Sequence, residues 1–299
     1  MEFEELTNWR LEAETLTFPA YRPLLRHISH DFSTLCVLAK QGNDTAGMAL
    51  LIINGEQAEL LSLFVKPKFR SQHIGKNLVL HVETHPKLKA CEIIFTRYNS
   101  HVIGRLPLEK IFSGNGWSDP KPSMVLYHST RELLKKIMHM PECRRYQNPV
   151  LARGYSLVKW CDLPDRDLET IREDQNRPGG WQDKYSPFRE TERIEPLNSF
   201  CILKDDRACG WFINHRIKTD TIRYTLSWLS DRVTGNRGII VQTFIHALWQ
   251  QILHGPEFAC FGIYKDNQAM IEMVEKRMFE NDLILSRTQT YYTEKRISK

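Results

Sequence analysis

Apolar and polar positions alternate, run together and repeat along this chain in a fixed order. Leu35-Cys-Val-Leu-Ala-Lys40 and Met48-Ala-Leu-Leu-Ile-Ile53 read as strands, joined by a turn at Gly42-Asn-Asp-Thr45. Asn54-Gly55 follows, and this pair predicts a tight hairpin because both central positions of a type I′ turn need positive φ. Ala58 to Val65 is the returning strand. Ile74, Leu78 and Val82 then recur at four-residue spacing, which predicts a helix with one face on the sheet. Glu92-Ile-Ile-Phe-Thr96 is the next strand, and a strand reached through a helix lies parallel to its predecessor. A short helix around Pro107-Leu-Glu-Lys-Ile-Phe112 is stopped by Gly114-Asn-Gly116-Trp117, and Ser123 to His128 is one more strand. Residues 1–34 read as helical, punctuated by Pro19 and Pro23.

The second half repeats the plan. Ser156 to Trp160 is a strand and Pro164 to Asp174 a helix, followed by strands at 200–203, 209–213 and 221–228. A turn at Thr234-Gly-Asn-Arg-Gly238 leads into a helix that is apolar at Ile240, Phe244 and Leu248. Phe258 to Ile263 is the parallel strand, a helix starts at Asn267, and Tyr291-Tyr292 lie in a final strand. Asn267 takes the place that Asn99 has in the first half. The repetition predicts an α/β protein of two divergent copies: a domain over residues 1–130, a connecting helix and linker over 131–150, and a second domain over 151–299. Asp205-Asp206 reads as a hairpin turn.

Composition narrows the class. The 299 residues are 41% hydrophobic and 10% aromatic, enough for true cores. The 7 cysteines are scattered and never spaced Cys-x-x-Cys, which argues against a disulfide framework and points to a reducing cytoplasm. The chain shows neither a signal-peptide layout at Met1-Glu-Phe-Glu-Glu nor an apolar run long enough to span a membrane. The net charge of +5 is modest and the basic residues are spread out, with one small cluster at Lys66, Lys68, Arg70 and Lys76, which suits one anionic ligand better than a nucleic-acid backbone. His81-x-x-x-His85 and His27-x-x-His30-Asp31 have ligand-like spacing but lack a third ligand, so no metal is expected.

The strand, basic turn and helix over residues 61–78 form the centre of the first half. A turn of this kind aims backbone N–H groups and a positive helix end at one point, where a phosphate is the usual occupant. Arg70, His73 and Gly75 resemble the acyl-CoA-binding signature of the GNAT (GCN5-related N-acetyltransferase) superfamily, with histidine where the family prefers its first glycine. The element order, and the helix end Phe112-Ser-Gly-Asn-Gly116-Trp117, are similar to that family as well.

The resemblance implies two tandem GNAT-like domains and an acyl-CoA-dependent transfer to an amine by direct attack. Acetyl-CoA or a longer acyl-CoA would be the co-substrate, and a small molecule or peptide the acceptor. The pyrophosphate would be held by Arg70 and the amides of Gln72, His73, Ile74, Gly75 and Lys76, with Val65 and Asn99 at the ends of the flanking strands. His73 either offers a ring N–H to a phosphate or is a neutral surface residue. Glu59 falls where the histone acetyltransferase branch carries its general base, and alternation leaves both faces of the strand open to it. The family's proton-donating tyrosine falls on Phe112, which has no proton to give; Tyr98, Ser113 or solvent remain as donors. In the second half the corresponding position is Val274, and the loop positions are Gly235 and Ile240, so the first half is the expected cofactor site. Trp181, in Pro178-Gly-Gly-Trp181, is the candidate for stacking on an acceptor. A catalytically inactive interaction module and an enzyme acting on the thioester itself are the competing readings.

Overall fold

The computed structural model describes residues 1–144, 154–178, 180–231, 233 and 238–297. The expected linker over 145–150 and the second-half loop position Gly235 lie outside these residues. The chain forms two compact units. One is Met1–Ser123 together with the segment from Gln289 onward, and the other is Met124–Thr288.

The first unit starts with a strand that the pattern did not predict. β1 (Glu2–Glu5) pairs antiparallel with β2 (Thr34–Gln41), placing Phe3 opposite Ala39. Two short helices follow, α1 (Leu11–Glu14) and α2 (Arg22–Arg26). β2, β3 (Asp44–Asn54) and β4 (Gln57–Val65) make an antiparallel meander. The β3–β4 turn is Gly55-Glu56 rather than Asn54-Gly55. Asn54 stays in the ladder opposite Gln57, and only Gly55 takes a positive φ, 58°. α3 (Ile74–Glu83) leads to β5 (Ile93–Asn99), which is parallel to β4, and α4 (Arg105–Gly114) closes the unit's second layer.

Both faces of this sheet are covered. α3 and α4 bury Ile74, Leu78, Val82 and Phe112 against Leu35, Val37, Leu51 and Ile94. On the other face Leu16, Leu25 and Ile28 pack on Cys36, Leu38, Met48 and Leu50. Full burial of each such side chain contributes about 1.5–3 kcal/mol.

The second unit runs through β6 (Lys121–Thr130, from Met124), α5 (Arg131–Met138), α6 (Pro141–Arg144), β7 (Tyr155–Lys159), α7 (Asp165–Glu173), β8 (Phe200–Lys204), β9 (Arg207–Lys218), β10 (Thr221–Leu229), α8 (Gly238–His254), β11 (Phe258–Tyr264) and α9 (Gln268–Val274). β8 and β9 turn at Asp205-Asp206, whose φ values of 49° and 62° are the tight hairpin geometry. β10 and β11 are parallel, from Thr221↔Phe258 to Tyr224↔Phe261.

The chain divides differently from the expected ranges at both ends. The last strand, β12 (Ser286–Arg296), pairs with β5 of the first unit, from Thr290↔Asn99 to Arg296↔Ile93. β6, which ends the first repeat in sequence, pairs with β11 of the second, from Tyr264↔Met124 to Phe258↔Thr130. Each copy therefore gives its closing strand to the other copy's sheet. The first sheet reads β1-β2-β3-β4-β5-β12 and the second β6-β11-β10-β9-β8-β7.

Candidate functional site: a parallel pair that opens beside a basic turn

β4 and β5 pair over only a short length, Gln57↔Ile93, Ala58↔Ile94 and Glu59↔Phe95. A hydroxyl marks the end of contact: Thr96 Oγ1 donates to the Leu60 carbonyl at 2.7 Å. The cause is local. β3 pairs Leu50 with Ser62 and then Leu51 with Leu60, so Leu61 is an extra residue in β4. A bulge of this kind bends its strand and raises its twist, turning β4 away while β5 continues along β12. A wedge-shaped gap between the two strands results. The second unit repeats the device, with Thr225 the extra residue between Tyr224↔Asn214 and Leu226↔Ile213.

The open end of β4 leads to the basic turn. Pro67–Phe69 is a single 3-10 turn, and Ser71 and His73 then take left-handed φ values of 61° and 58°. His73 is the N-cap of α3, and its side chain makes no capping bond. The first amide of this segment to find a helical carbonyl is Asn77, bonded to His73 O at 3.0 Å. Among the described residues, the amides from Ser71 to Lys76 donate to no backbone carbonyl. They lie at a helix N-terminus, which carries a partial positive charge. This is the chemistry of an anion cradle.

Arg70 is exposed and folds back, its Nε donating to the Val65 carbonyl at 3.1 Å, and the Gln72 side-chain Nε2 reaches the Lys68 carbonyl at 3.5 Å. Lys68 is held by Asp44 at 2.6 Å. Ile74 and Gly75 are buried, Ile74 in the core cluster of the first unit. A Cβ on Gly75 would stand 2.9 Å from Ile111 Cδ1 and 3.6 Å from Val65 Cγ2. The glycine is there for helix–helix packing as much as for access to the backbone.

The two faces of β5 carry different chemistry. Toward α4, the Tyr98 hydroxyl donates to Glu109 at 2.9 Å, and Arg105 Nε holds the same Glu109 oxygen at 2.8 Å. Tyr98 is buried and stacks on Tyr291 with ring centres 5.9 Å apart. Burial, and then the Glu109 bond, push its phenol well above the usual range. Phe112 is buried and stacks on Trp117 at 4.5 Å. Ser113 Oγ contacts the Lys110 carbonyl at 3.4 Å. Asn99 is exposed and accepts from Thr290 Oγ1 at 3.2 Å. Asn267 does not match it. Asn267 lies beyond the end of β11 and caps α9, accepting from the Met270 amide at 3.3 Å.

The opposite face of β5 presents Phe95 and Arg97, flanked by Glu59 on β4 and by Tyr292 and Glu294 on β12, all on the same side by register. Arg97 Nη1 lies 3.2 and 3.4 Å from the two Glu59 oxygens, and its guanidinium lies 4.9 Å from the centre of the Phe95 ring. The Tyr292 hydroxyl is bonded to Glu294. Tyr21, before α2, is close enough to sense the charges of Glu59 and Arg97. Burial pushes the Glu59 carboxyl above its ordinary value, and Arg97 opposes the rise.

Sequence reasoning missed Arg97 and Tyr292. A charged residue two positions after Phe95 on a strand was the available signal for Arg97. Tyr292 had none, since its strand comes from the other repeat. Trp181 requires correction. It is 2% exposed, its indole N–H donates to the Ile171 carbonyl at 2.6 Å, and it packs with Trp160, Trp211 and Phe188. It is a core residue of the second unit with no face left for an acceptor. Among the described residues no group of three or more His, Cys, Asp or Glu is placed to hold a metal. His81 stacks on Phe3 at 4.7 Å, and His85 meets Glu5 at 3.3 Å. No helix among the described residues is long and apolar enough to cross a membrane.

Residues 3–104 match the model of the acetyltransferase (GNAT) family. A tandem GNAT protein from the clavulanic acid biosynthesis pathway superposes with a TM-score of 0.63 over 100% of this chain and 99% of its own, at 13% identity. The chain carries a tandem GNAT fold. A GCN5-related N-acetyltransferase from Sphaerobacter thermophilus superposes at 0.59, with 14% identity over 99% of this chain and 96% of its own. A GNAT-family acetyltransferase from Colwellia psychrerythraea gives 0.53, with 11% identity and full coverage of both chains. No curated protein matches the sequence. The GNAT match falls on the unit that holds the wedge and the basic turn.

Proposed function

We propose that the first unit transfers an acyl group from an acyl-CoA thioester, acetyl-CoA or a longer homologue, to an amine. The observation that carries this reading is the wedge between β4 and β5 leading to the uncommitted amides of residues 71–76. The turn fits a pyrophosphate, with Arg70 and Lys76 as its exposed cations. The pantetheine arm would run along the open edge of β4 past Val65, bringing the thioester to the point where pairing stops.

The amine nitrogen attacks the thioester carbonyl carbon, the C–S bond breaks, and the amine proton goes to the Glu59 carboxylate, directly or through water. A base of raised pKa suits an amine acceptor better than an ordinary carboxylate. The leaving thiolate needs little help, since a thiol ionises at about 8.5. Tyr98 is a poor donor to it: a phenol raised well above its usual range would transfer its proton uphill. The thiolate takes its proton from solvent in this scheme, and Tyr98, Glu109 and Arg105 hold α4 against β5.

The test is calorimetric titration with CoA thioesters of increasing chain length, paired with a thiol-release assay on an amine panel. Saturable binding weakened about tenfold or more in Arg70→Ala, with amine-dependent release of CoA, supports the proposal. Thioester hydrolysis indifferent to added amine points to chemistry on the thioester alone. Absence of binding leaves an interaction module.

A further inference from the structure

The wall around Glu59 specifies more than an amine. Arg97 uses only Nη1 on Glu59, and among the described residues no other acceptor takes its Nε or Nη2. Its side chain is 54% exposed while Glu59 is 24% exposed, so the free edge of the guanidinium faces solvent beside the base. Phe95 supports the guanidinium plane, and Tyr292 sits on the rung opposite Arg97. The nearest other carboxylate of this face, Glu294, lies opposite Phe95 and is held by the Tyr292 hydroxyl.

We propose that the acceptor is an α-amino acid, its amine at Glu59 and its carboxylate on the free edge of Arg97. This rests on the acyltransfer reading above. Two observations lead to it. A planar guanidinium with unused donors binds a carboxylate in a two-point fork. Its contact with Glu59 also puts cation and base side by side, and in an α-amino acid a single carbon separates the amine from the carboxyl group. Acceptors with a distant carboxylate, or none, leave one of the two partners unused. The half-buried rings of Tyr292 and Tyr21 suit an apolar or aromatic side chain.

The arrangement also sets the timing of the base. Without acceptor, Arg97 shares its charge with Glu59 and weakens it as a base. An incoming carboxylate competes for the guanidinium and leaves Glu59 dominated by its burial. The acceptor that fits therefore strengthens the base that deprotonates it.

The experiment compares L-phenylalanine with phenethylamine, which lacks only the carboxylate, on the full chain and on Arg97→Gln and Arg97→Lys. Binding of each is measured by calorimetry in the presence of CoA, and acyl transfer is measured separately. The expected result is preferential binding of phenylalanine, weakened about 10- to 100-fold by Arg97→Gln, partly restored by Arg97→Lys, with CoA affinity unchanged. Measured at a pH above the Glu59 limb, transfer to phenylalanine falls through KM by a larger factor than transfer to phenethylamine does. Equal binding of the two compounds by the native chain overturns the inference, as does a ratio that Arg97→Gln leaves in place. Arg97-dependent binding of phenylalanine without transfer to any acceptor keeps the amino-acid site and removes the acyltransfer reading. Transfer indifferent to the carboxylate does the reverse.

Discussion

Arg97 reaches back from two residues beyond the last rung of the parallel pair to place its Nη1 3.2 Å from Glu59 Oε1. Burial raises the Glu59 carboxyl above 4.5, and the guanidinium opposes that rise. Glu59 acts as a base only when ionised, so kcat/KM should climb with pH along a limb above the ordinary carboxylate range. Arg97→Gln removes the opposing cation and should move the limb further up. Tyr21, Tyr292 and Glu294 lie nearest on that face, and Cys36, Lys40 and Glu4 are carried further along it by β2 and β1. Glu59→Gln should lower kcat/KM about 10²–10⁴-fold with acyl-CoA affinity retained. The stability sign runs the other way. A carboxyl that holds its proton more tightly when folded contributes stability at low pH and loses it as pH rises through the raised pKa. Glu59→Gln should therefore be at least as heat-stable as the native chain at pH 7. Pre-steady-state rates and thermal melts across pH check both.

The left-handed φ of 58° at His73 costs the fold about 1 kcal/mol relative to glycine. His73→Gly should raise stability by about 0.5–1 kcal/mol, offset in part by glycine's unfolded-state entropy, with no loss of acyl-CoA affinity. Gly75→Ala meets the far end of Ile111, which can move, and should cost about 1 kcal/mol; Ile111→Val beside it should recover most of that. Chemical denaturation of the single and double variants decides it.

Tyr98→Phe should change kcat less than about fivefold, since a hydrogen bond to Glu109, not a proton transfer, is lost. Restoring the family's tyrosine by Phe112→Tyr should not accelerate the reaction. Phe112 is 1% exposed against Trp117, so the new hydroxyl would be buried without a partner and cost about 1–3 kcal/mol. A large kcat loss in Tyr98→Phe would return Tyr98 to the role of proton donor.

Glu83, at the end of α3, is buried and shared between the Trp117 indole N–H at 2.6 Å and the Lys295 ammonium at 2.6 Å. Lys295 comes from β12 and also donates to the Asn115 carbonyl at 2.7 Å. Lys295→Met leaves the Glu83 carboxylate without its cation, and about 3–5 kcal/mol of stability should go with it. Glu83→Gln with Lys295→Met should cost less than the single change, which a double-mutant cycle in urea measures.

Features set by neighbouring residues were legible in advance: the meander, the parallel pair, the basic turn, and Asp205-Asp206 as a hairpin. Asn54-Gly55 misled because register places Asn54 opposite Gln57, leaving Gly55 and Glu56 as the turn. Trp181 follows Pro178-Gly-Gly in sequence, and nothing local reveals that its indole would close the core of Trp160 and Trp211. β1 reads as part of a helical stretch because an edge strand shows only half a pattern. Glu59 was legible as a candidate and Arg97 sits on the strand paired with it, but Tyr292 and Glu294 join them through a strand that comes from the other repeat.

The exchange of closing strands has a consequence for how the protein is made. Asn99 and Thr290 meet although they stand 191 positions apart in the sequence. A chain emerging from the ribosome has β1 to β5 in hand early, yet its first sheet keeps an open edge until nearly all the rest has been synthesised. β6 waits likewise for β11. An unpaired edge held that long invites wrong partners. It also means that neither repeat can be lost, duplicated or inherited alone, because each leaves with a strand the other needs.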